Sequence, residues 1–254
     1  MISQPNIELT PEIAELYAKY RPNYPSQVID IIENTCRIPD GSVIADVGCA
    51  TGSFSKSLLD NGYKVIGIER SDAMREKATS LLSAYPNFTC LAGRAEATEL
   101  PDNSVDCVTA ATSFHWFNLE GTKKEFKRIL KSGGWCFLVW NYRMAEASEF
   151  MQAYENLLLR YGVNYKAVST KTTEEEIYYF FHPSPVKTIA FPNKQLVNLE
   201  GFQGRIMATA YAPRAGHPKH EPMMEVAKEI FHHYEEDGYV EFFYNARCYY
   251  GQMG

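Results

Sequence analysis

The chain has 254 residues, 45% hydrophobic and 22% charged, with a formal net charge of −6. That is long enough for one large domain or a domain with a cap, and an acidic balance without a basic stripe excludes a nucleic-acid partner, which needs clustered Lys and Arg to displace counterions. No apolar run approaches the length of a membrane span, Met1–Thr10 is polar without a signal core, and the six cysteines contain no C-x-x-C pair; the expectation is a cytoplasmic protein with no membrane partner and no metal site.

In chain order, residues 1–42 read as an N-terminal helical segment that contains Tyr20-Arg21-Pro22-Asn23-Tyr24-Pro25. Val43–Val47 is apolar except for Asp46 and suits a strand buried on both faces of a parallel sheet. The turn Gly48-Cys49-Ala50-Thr51-Gly52 follows, with glycine where φ turns positive or where a ligand lies against bare backbone. Phe54, Leu58 and Leu59 share one side of a helix over 53–61 that stops at Asn61-Gly62. A strand over 64–69 ends on Glu69, seventeen residues after Gly52. A helix over 72–84, strands over 87–92 and 105–111, a helix over 119–131 and a strand over 134–141 complete a core spanning 43–143. Such alternation means a parallel sheet with helices on both faces and a ligand crevice outside the carboxyl ends of its strands. Asp46, Glu69, Ala95 and Ser113 end or follow strands and so gather at that edge. After Arg143 the pattern changes. Residues 145–161, 173–182, 198–211 and 221–236 read as helices. Val186–Phe191 alternates like a strand ending at Pro192, and 241–250 is aromatic and β-prone. Many of the seventeen tyrosines lie outside the core; they line an aromatic substrate chamber or fill the core of a cap.

The spacing of the turn separates two cofactors. A nicotinamide-binding fold wants G-x-G-x-x-G, with pyrophosphate on the helix N-terminus. Here the turn is G-x-x-x-G, and Asp46 just before it repels a pyrophosphate but suits a ligand with an ammonium and a sulfonium. An acid at the tip of the second strand accepts both hydroxyls of a ribose.

Asp46-Val-Gly-Cys-Ala-Thr-Gly52 resembles motif I of the class I S-adenosylmethionine-dependent methyltransferases. The resemblance runs on through Val65-Ile-Gly-Ile-Glu69, Gly93-Arg-Ala-Glu-Ala-Thr-Glu-Leu-Pro101, Ser104-Val-Asp106, Ser113-Phe-His-Trp-Phe117 and Leu130-Lys-Ser-Gly-Gly134. More narrowly the chain resembles the methyltransferase type 11 group, and the Tyr20–Pro25 stretch resembles the trans-aconitate-methyltransferase-like enzymes. The resemblance covers roughly residues 15–143 and loosens beyond them.

It implies an α/β, Rossmann-like, seven-stranded, mostly parallel sheet with helices on both faces and a helical cap, with 186–191 and 241–250 as the closing strands within 144–254. The implied cofactor is S-adenosyl-L-methionine. Its methionine end would meet Asp46, the turn Gly48, Cys49, Ala50 and Gly52, and the covering segment with Tyr20 and Arg21, Arg21 pairing with the carboxylate. Glu69 would hold the ribose; Arg70 and Met74 would border the adenine. The family often has an acid after Gly93 for the adenine amino group; this chain has Arg94, which cannot accept, leaving the Ala95 amide for the ring and Glu96 as a structural cap. Ser113 and Phe114 follow the fourth strand, where the methyl group is delivered, and His115 is the candidate catalytic base or orienting group, with packing against Trp116 as its alternative.

The function expected is methyl transfer from S-adenosylmethionine to a small-molecule acceptor, through a carboxylate or hydroxyl. The alternatives are a nicotinamide-dependent oxidoreductase and a non-catalytic cofactor-binding protein. Arg205 and Arg214 either meet a substrate carboxylate or sit on solvated surface, and His232-His233 reads as an exposed helix face. Acceptor, nucleophilic atom and oligomeric state stay open.

Overall fold

The computed structural model describes residues 9–165 and 172–253, so the first eight residues of the N-terminal segment lie outside it. In chain order the elements are α1 (Pro11–Tyr20), α2 (Gln27–Asp30), β1 (Val43–Val47), α3 (Ser53–Asp60), β2 (Lys64–Glu69), α4 (Asp72–Leu81), β3 (Phe88–Ala92), β4 (Val105–Ala111), α5 (Leu119–Ile129), β5 (Leu130–Arg143), α6 (Glu149–Tyr161), α7 (Glu174–Phe181), β6 (Lys187–Val197), α8 (Leu199–Met207), α9 (His220–Tyr234) and β7 (Val240–Gln252). The described residues form two units. One, the sheet unit, holds 23–141, 172–191 and 246–253; the other, the helical unit, holds 9–22, 142–165 and 192–245.

In the sheet unit β1 pairs in parallel with β2 and with β4, β2 with β3, and β4 with β5. The order β3-β2-β1-β4-β5-β7-β6 gives the expected seven-stranded Rossmann-like sheet. The strands read as apolar runs because helices cover them. Val28 and Ile32 below α2's start and end, and Phe54 and Leu58 from α3, pack with Ile44, Val65, Cys107 and Phe137 of the strands and with Cys248 and Tyr250 of β7. Each such side chain, fully buried, contributes about 1.5–3 kcal/mol. The stop of α3 falls where the sequence puts it: Asn61 is the C-cap and Gly62 takes φ +84°.

Two strands differ from their sequence reading. β5 begins at Leu130 rather than 134, because Leu130 pairs with Val105 and Trp135 with Cys107 across a bulge in which Gly133 takes φ +76°; the extra residues bend the strand out of its ladder. β6 runs to Val197 through Pro192 instead of ending at it. It is the last strand of the sheet order, and a proline without an N–H is tolerated on an edge.

The helical unit has its own core, in which Tyr154 and Leu158 of α6, Phe202 and Ile206 of α8 and Phe231 of α9 surround Phe242 of β7. The Phe242 ring meets Tyr154 edge-on at 5.0 Å and Phe150 at 5.1 Å. Tyr154, Tyr211 and Tyr244 belong to this core, so part of the tyrosine surplus is packing. Arg214 is partly buried, and its guanidinium donates to the carbonyls of Met207 and Thr209 at the end of α8, where free carbonyls and the negative end of the helix dipole favour a cation. His232 and His233 are exposed on α9, as read.

Candidate active site

The turn after β1 is built on left-handed backbone. Gly48, Ala50 and Gly52 take φ +71°, +49° and +83°. Four of the turn's amides are bonded within the protein: Gly48 N and Cys49 N donate to the Ile68 carbonyl, Gly52 N donates to the Cys49 carbonyl, and Ala50 N donates to Glu69 Oε2 at 3.0 Å. Ser71 N donates to Glu69 Oε1 at 2.8 Å. The carboxylate at the tip of β2 is thereby fixed by two main-chain donors, and each oxygen keeps a second lone pair. Glu69 is 7% exposed, so those lone pairs open onto a nearly closed surface rather than onto bulk water.

The glycines have local reasons besides any ligand. A Cβ on Gly48 would lie 2.6 Å from the Ser113 Cβ and 3.3 Å from the Phe117 ring; one on Gly52 would lie 2.7 Å from Leu82 Cδ1. Ser113, 6% exposed, donates from Oγ to the Val47 carbonyl at 2.8 Å and so ties the exit of β4 to the exit of β1. The Cys49 thiol, which burial and its neighbour Cys90 hold well above the usual range, lies 3.7 Å from the Cys90 thiol beneath the turn.

Other expected residues are placed differently. Phe114 is buried with its ring edge-on to Phe180 at 4.6 Å and to Trp140 at 6.1 Å, so its side chain is core. Met74, 2% exposed, also faces the core, from the first turn of α4. Arg70 is exposed beyond β2. Arg94 and Ala97 exchange backbone hydrogen bonds in a tight turn that leaves Arg94 exposed and Ala95 buried. Glu96 Oε1 accepts from Asn118 N at 2.6 Å, at the start of α5 and not in the segment that directly follows Glu96. His115 is half-buried, and its Nδ1 accepts from the Trp140 indole at 3.4 Å.

Tyr20 and Arg21 belong to the helical unit. The Tyr20 hydroxyl donates to Glu200 at 2.7 Å, and the Arg21 guanidinium stacks 4.8 Å from the Tyr17 ring. The residues of the same stretch that reach the turn's neighbours are the next ones. Asn23 accepts from Ser53 Oγ at 3.0 Å through its side chain and from Asn141 at 3.2 Å through its carbonyl. The Tyr24 hydroxyl lies 2.7 Å from that of Thr112, and its ring packs edge-on to Phe54 at 5.1 Å. Asn23, Tyr24, Ser53 and Thr112 were not singled out from sequence. The signal was present in Tyr20–Pro25, but nothing in it says which of its polar residues turns toward the sheet.

The sequence profile of the family described as Methyltransferase domain (Methyltransf_11) matches residues 45–138. Those residues form a methyltransferase domain. The domain includes the turn, Glu69, the 94–97 turn and the Ser113–Phe117 segment. A methyltransferase-like protein of Schizosaccharomyces pombe, itself uncharacterized, is 38% identical over 128 residues, which are 50% of this chain and 49% of that protein. The chain spans about half the length of the curated relatives it matches first. In fold it is similar to a candidate type II methyltransferase from Anaeromyxobacter dehalogenans, with TM-score 0.66, 21% identity, and 92% of this chain and 98% of that one covered. It is also similar to phosphoethanolamine N-methyltransferase 2 of Haemonchus contortus, solved with phosphomonomethylethanolamine and S-adenosylhomocysteine, with TM-score 0.58, 15% identity, and 97% and 58% covered.

Within the methyltransferase domain Asp46 does not face outward. It is 0% exposed and accepts from Ser55 Oγ at 2.6 Å and Thr109 Oγ1 at 3.0 Å. It thus locks β1 to α3 and β4 behind the turn. Burial pushes its carboxyl up to about 6, against the pull of the two hydroxyls. The folded value lies above the ordinary 3.8, so this group favours the folded state fully below about pH 4 and loses that contribution as pH rises through 6. A shift of this size corresponds to about 2–3 kcal/mol. Asp46→Asn therefore gains on the wild type between pH 4 and 7, with the hydroxyls turning to suit the amide. Urea melts at unit pH steps check this; a pH-independent difference between the two proteins refutes it.

Proposed function

We propose that this chain is an S-adenosylmethionine-dependent methyltransferase acting on a small-molecule acceptor. The observation that carries the reading is the Glu69 carboxylate, held by the Ala50 and Ser71 amides beside the left-handed turn with a lone pair left on each oxygen. That is the acceptor pair a ribose diol needs. The Ala95 amide, at the end of the next strand's loop, finds no acceptor among the described residues and suits the edge of an adenine. The relatives' names and the S-adenosylhomocysteine held by the structural neighbour point the same way.

When bound, the cofactor supplies a methyl group on a sulfonium, already activated for in-line displacement. The protein's task is then to align a nucleophile and exclude water, and alignment alone is worth about 7–11 kcal/mol. Glu69 and the turn fix the donor. Asp46 acts behind the turn, keeping its amides in place, instead of touching an ammonium directly. His115, its Nδ1 accepting from the Trp140 indole at 3.4 Å, is placed to orient the acceptor. Trp116, its ring tilted against that of His115 at 4.8 Å, and Phe117 are half-buried in the same segment.

Isothermal titration of the purified chain with S-adenosylhomocysteine, with NAD as control, tests the reading. Binding in the micromolar range or tighter, and none with NAD, is expected. No heat with S-adenosylhomocysteine at millimolar concentration, confirmed by an unchanged melting temperature, overturns it.

A further inference from the structure

The helical unit holds a buried positive cluster for which the methyltransferase domain has no use. Arg205 of α8 is 3% exposed, yet makes no ion pair among the described residues. Its Nη1 donates to the Tyr20 carbonyl at 3.3 Å and to Gln195 Oε1 at 3.2 Å, and its Nε has no acceptor. Its guanidinium carbon lies 4.8 Å and 5.1 Å from the ring centroids of Phe242 and Tyr244. Arg143 has one carboxylate, Glu155, at 3.1 Å, and donates to Tyr211 at 2.8 Å, but its Nε is also without an acceptor. The hydroxyls of Tyr154 and Tyr244, 0% and 1% exposed, have no partner either.

These groups feel one another. Burial holds Arg205 below its usual range; Tyr244 and Tyr154 pull the other way, and Arg21 and Arg143 repel it. Arg143 has the carboxylate of Glu155, and Arg205 has none among the described residues. A guanidinium cannot escape by losing its proton, and an uncompensated buried cation is among the costliest arrangements a protein holds. Buried polar atoms are almost always bonded, so two unpaired Nε–H groups and two unpaired phenols in one core demand an explanation. An oxyanion supplies what these groups lack: a negative charge for the arginines and lone pairs for unpaired N–H and O–H donors. A guanidinium fork matches carboxylate and phosphate alike, and the rings of Phe242 and Tyr244 suit an apolar body behind either.

We propose that Arg205, with Arg143 and the hydroxyls of Tyr154 and Tyr244, binds the carboxylate or phosphate of a small-molecule ligand. The site lies in the helical unit and stands whether or not methyl transfer occurs.

The full chain is titrated with citrate, succinate and inorganic phosphate at ionic strength matched by sodium chloride, and its melting temperature is followed in the same solutions. Saturable binding of at least one anion is expected, the carboxylate and phosphate arms showing which head group is preferred. Arg205→Met should bind that anion roughly tenfold to a hundredfold more weakly. In its absence the variant should melt at or above the wild type, since it removes an uncompensated charge, an outcome a merely structural arginine would not give. Tyr244→Phe, the milder change, should weaken binding several-fold. No saturable binding of any of the three anions, or wild-type affinity in Arg205→Met, or in Tyr244→Phe should the first variant fail to fold, overturns the proposal. Titration of the wild type with S-adenosylhomocysteine in the same series separates this failure from that of the cofactor reading.

Discussion

Glu69→Gln is expected to leave the fold standing and to weaken S-adenosylhomocysteine binding at least tenfold, and Glu69→Ala to weaken it by up to roughly a thousandfold. The range follows from charged hydrogen bonds worth about 1.5–3 kcal/mol each, one or two of which are lost to the ribose. The structure adds a second cost. The same carboxylate accepts from Ala50 N and Ser71 N, so alanine also strands two amides and frees the turn. Glutamine keeps the shape and one acceptor oxygen but turns its NH2 toward one of the two amides, so it loses one main-chain bond where alanine loses both, and the melting curves report that difference. Calorimetry of all three proteins, with their melting curves, makes the comparison. Equal affinity of wild type and Glu69→Ala would remove the basis of the functional reading.

The second large effect is on stability. Gly48→Ala should destabilise the chain by roughly 2–5 kcal/mol: about 1–2 for an L-residue held in the left-handed region and about 1–3 for overpacking. The packing part is specific. The new Cβ would stand 2.6 Å from Ser113 Cβ, and Ser113 cannot swing away without breaking its bond to the Val47 carbonyl. Marginal stability of about 5–15 kcal/mol for a typical protein makes such a loss severe. Combining Gly48→Ala with Ser113→Gly should recover the packing part and leave the backbone part, so the two substitutions should not be additive. Urea melts of the four proteins measure this, and strict additivity would show that Ser113 is not the obstacle.

Much of the sheet unit was legible in the chain itself. Apolar runs of strand length, Asn61-Gly62 as a helix stop and the glycine-bearing turn are local signals, and each acts through backbone geometry or burial that a few neighbouring residues fix. Glu69 was legible for the same reason, since the carboxyl end of a strand in a parallel sheet lies at the ligand edge. The helical unit shows the other side. Its helices were readable from periodicity, but Arg205 and Arg214 look alike in sequence; one is buried over aromatic rings and the other caps a helix end.

What the sequence by itself determined is therefore the architecture of 43–143 and the position of the acid and the turn within it, because these depend on periods of two and 3.6 residues and on where glycine is allowed. What only the tertiary structure decided is the use of each polar atom. Asp46 turned inward to Ser55 and Thr109, Asn23 and Tyr24 bonded to Ser53 and Thr112, and the His115 lone pair went to Trp140. Those choices pair residues from 9 to 88 positions apart, and no local pattern encodes which donor a distant acceptor will find.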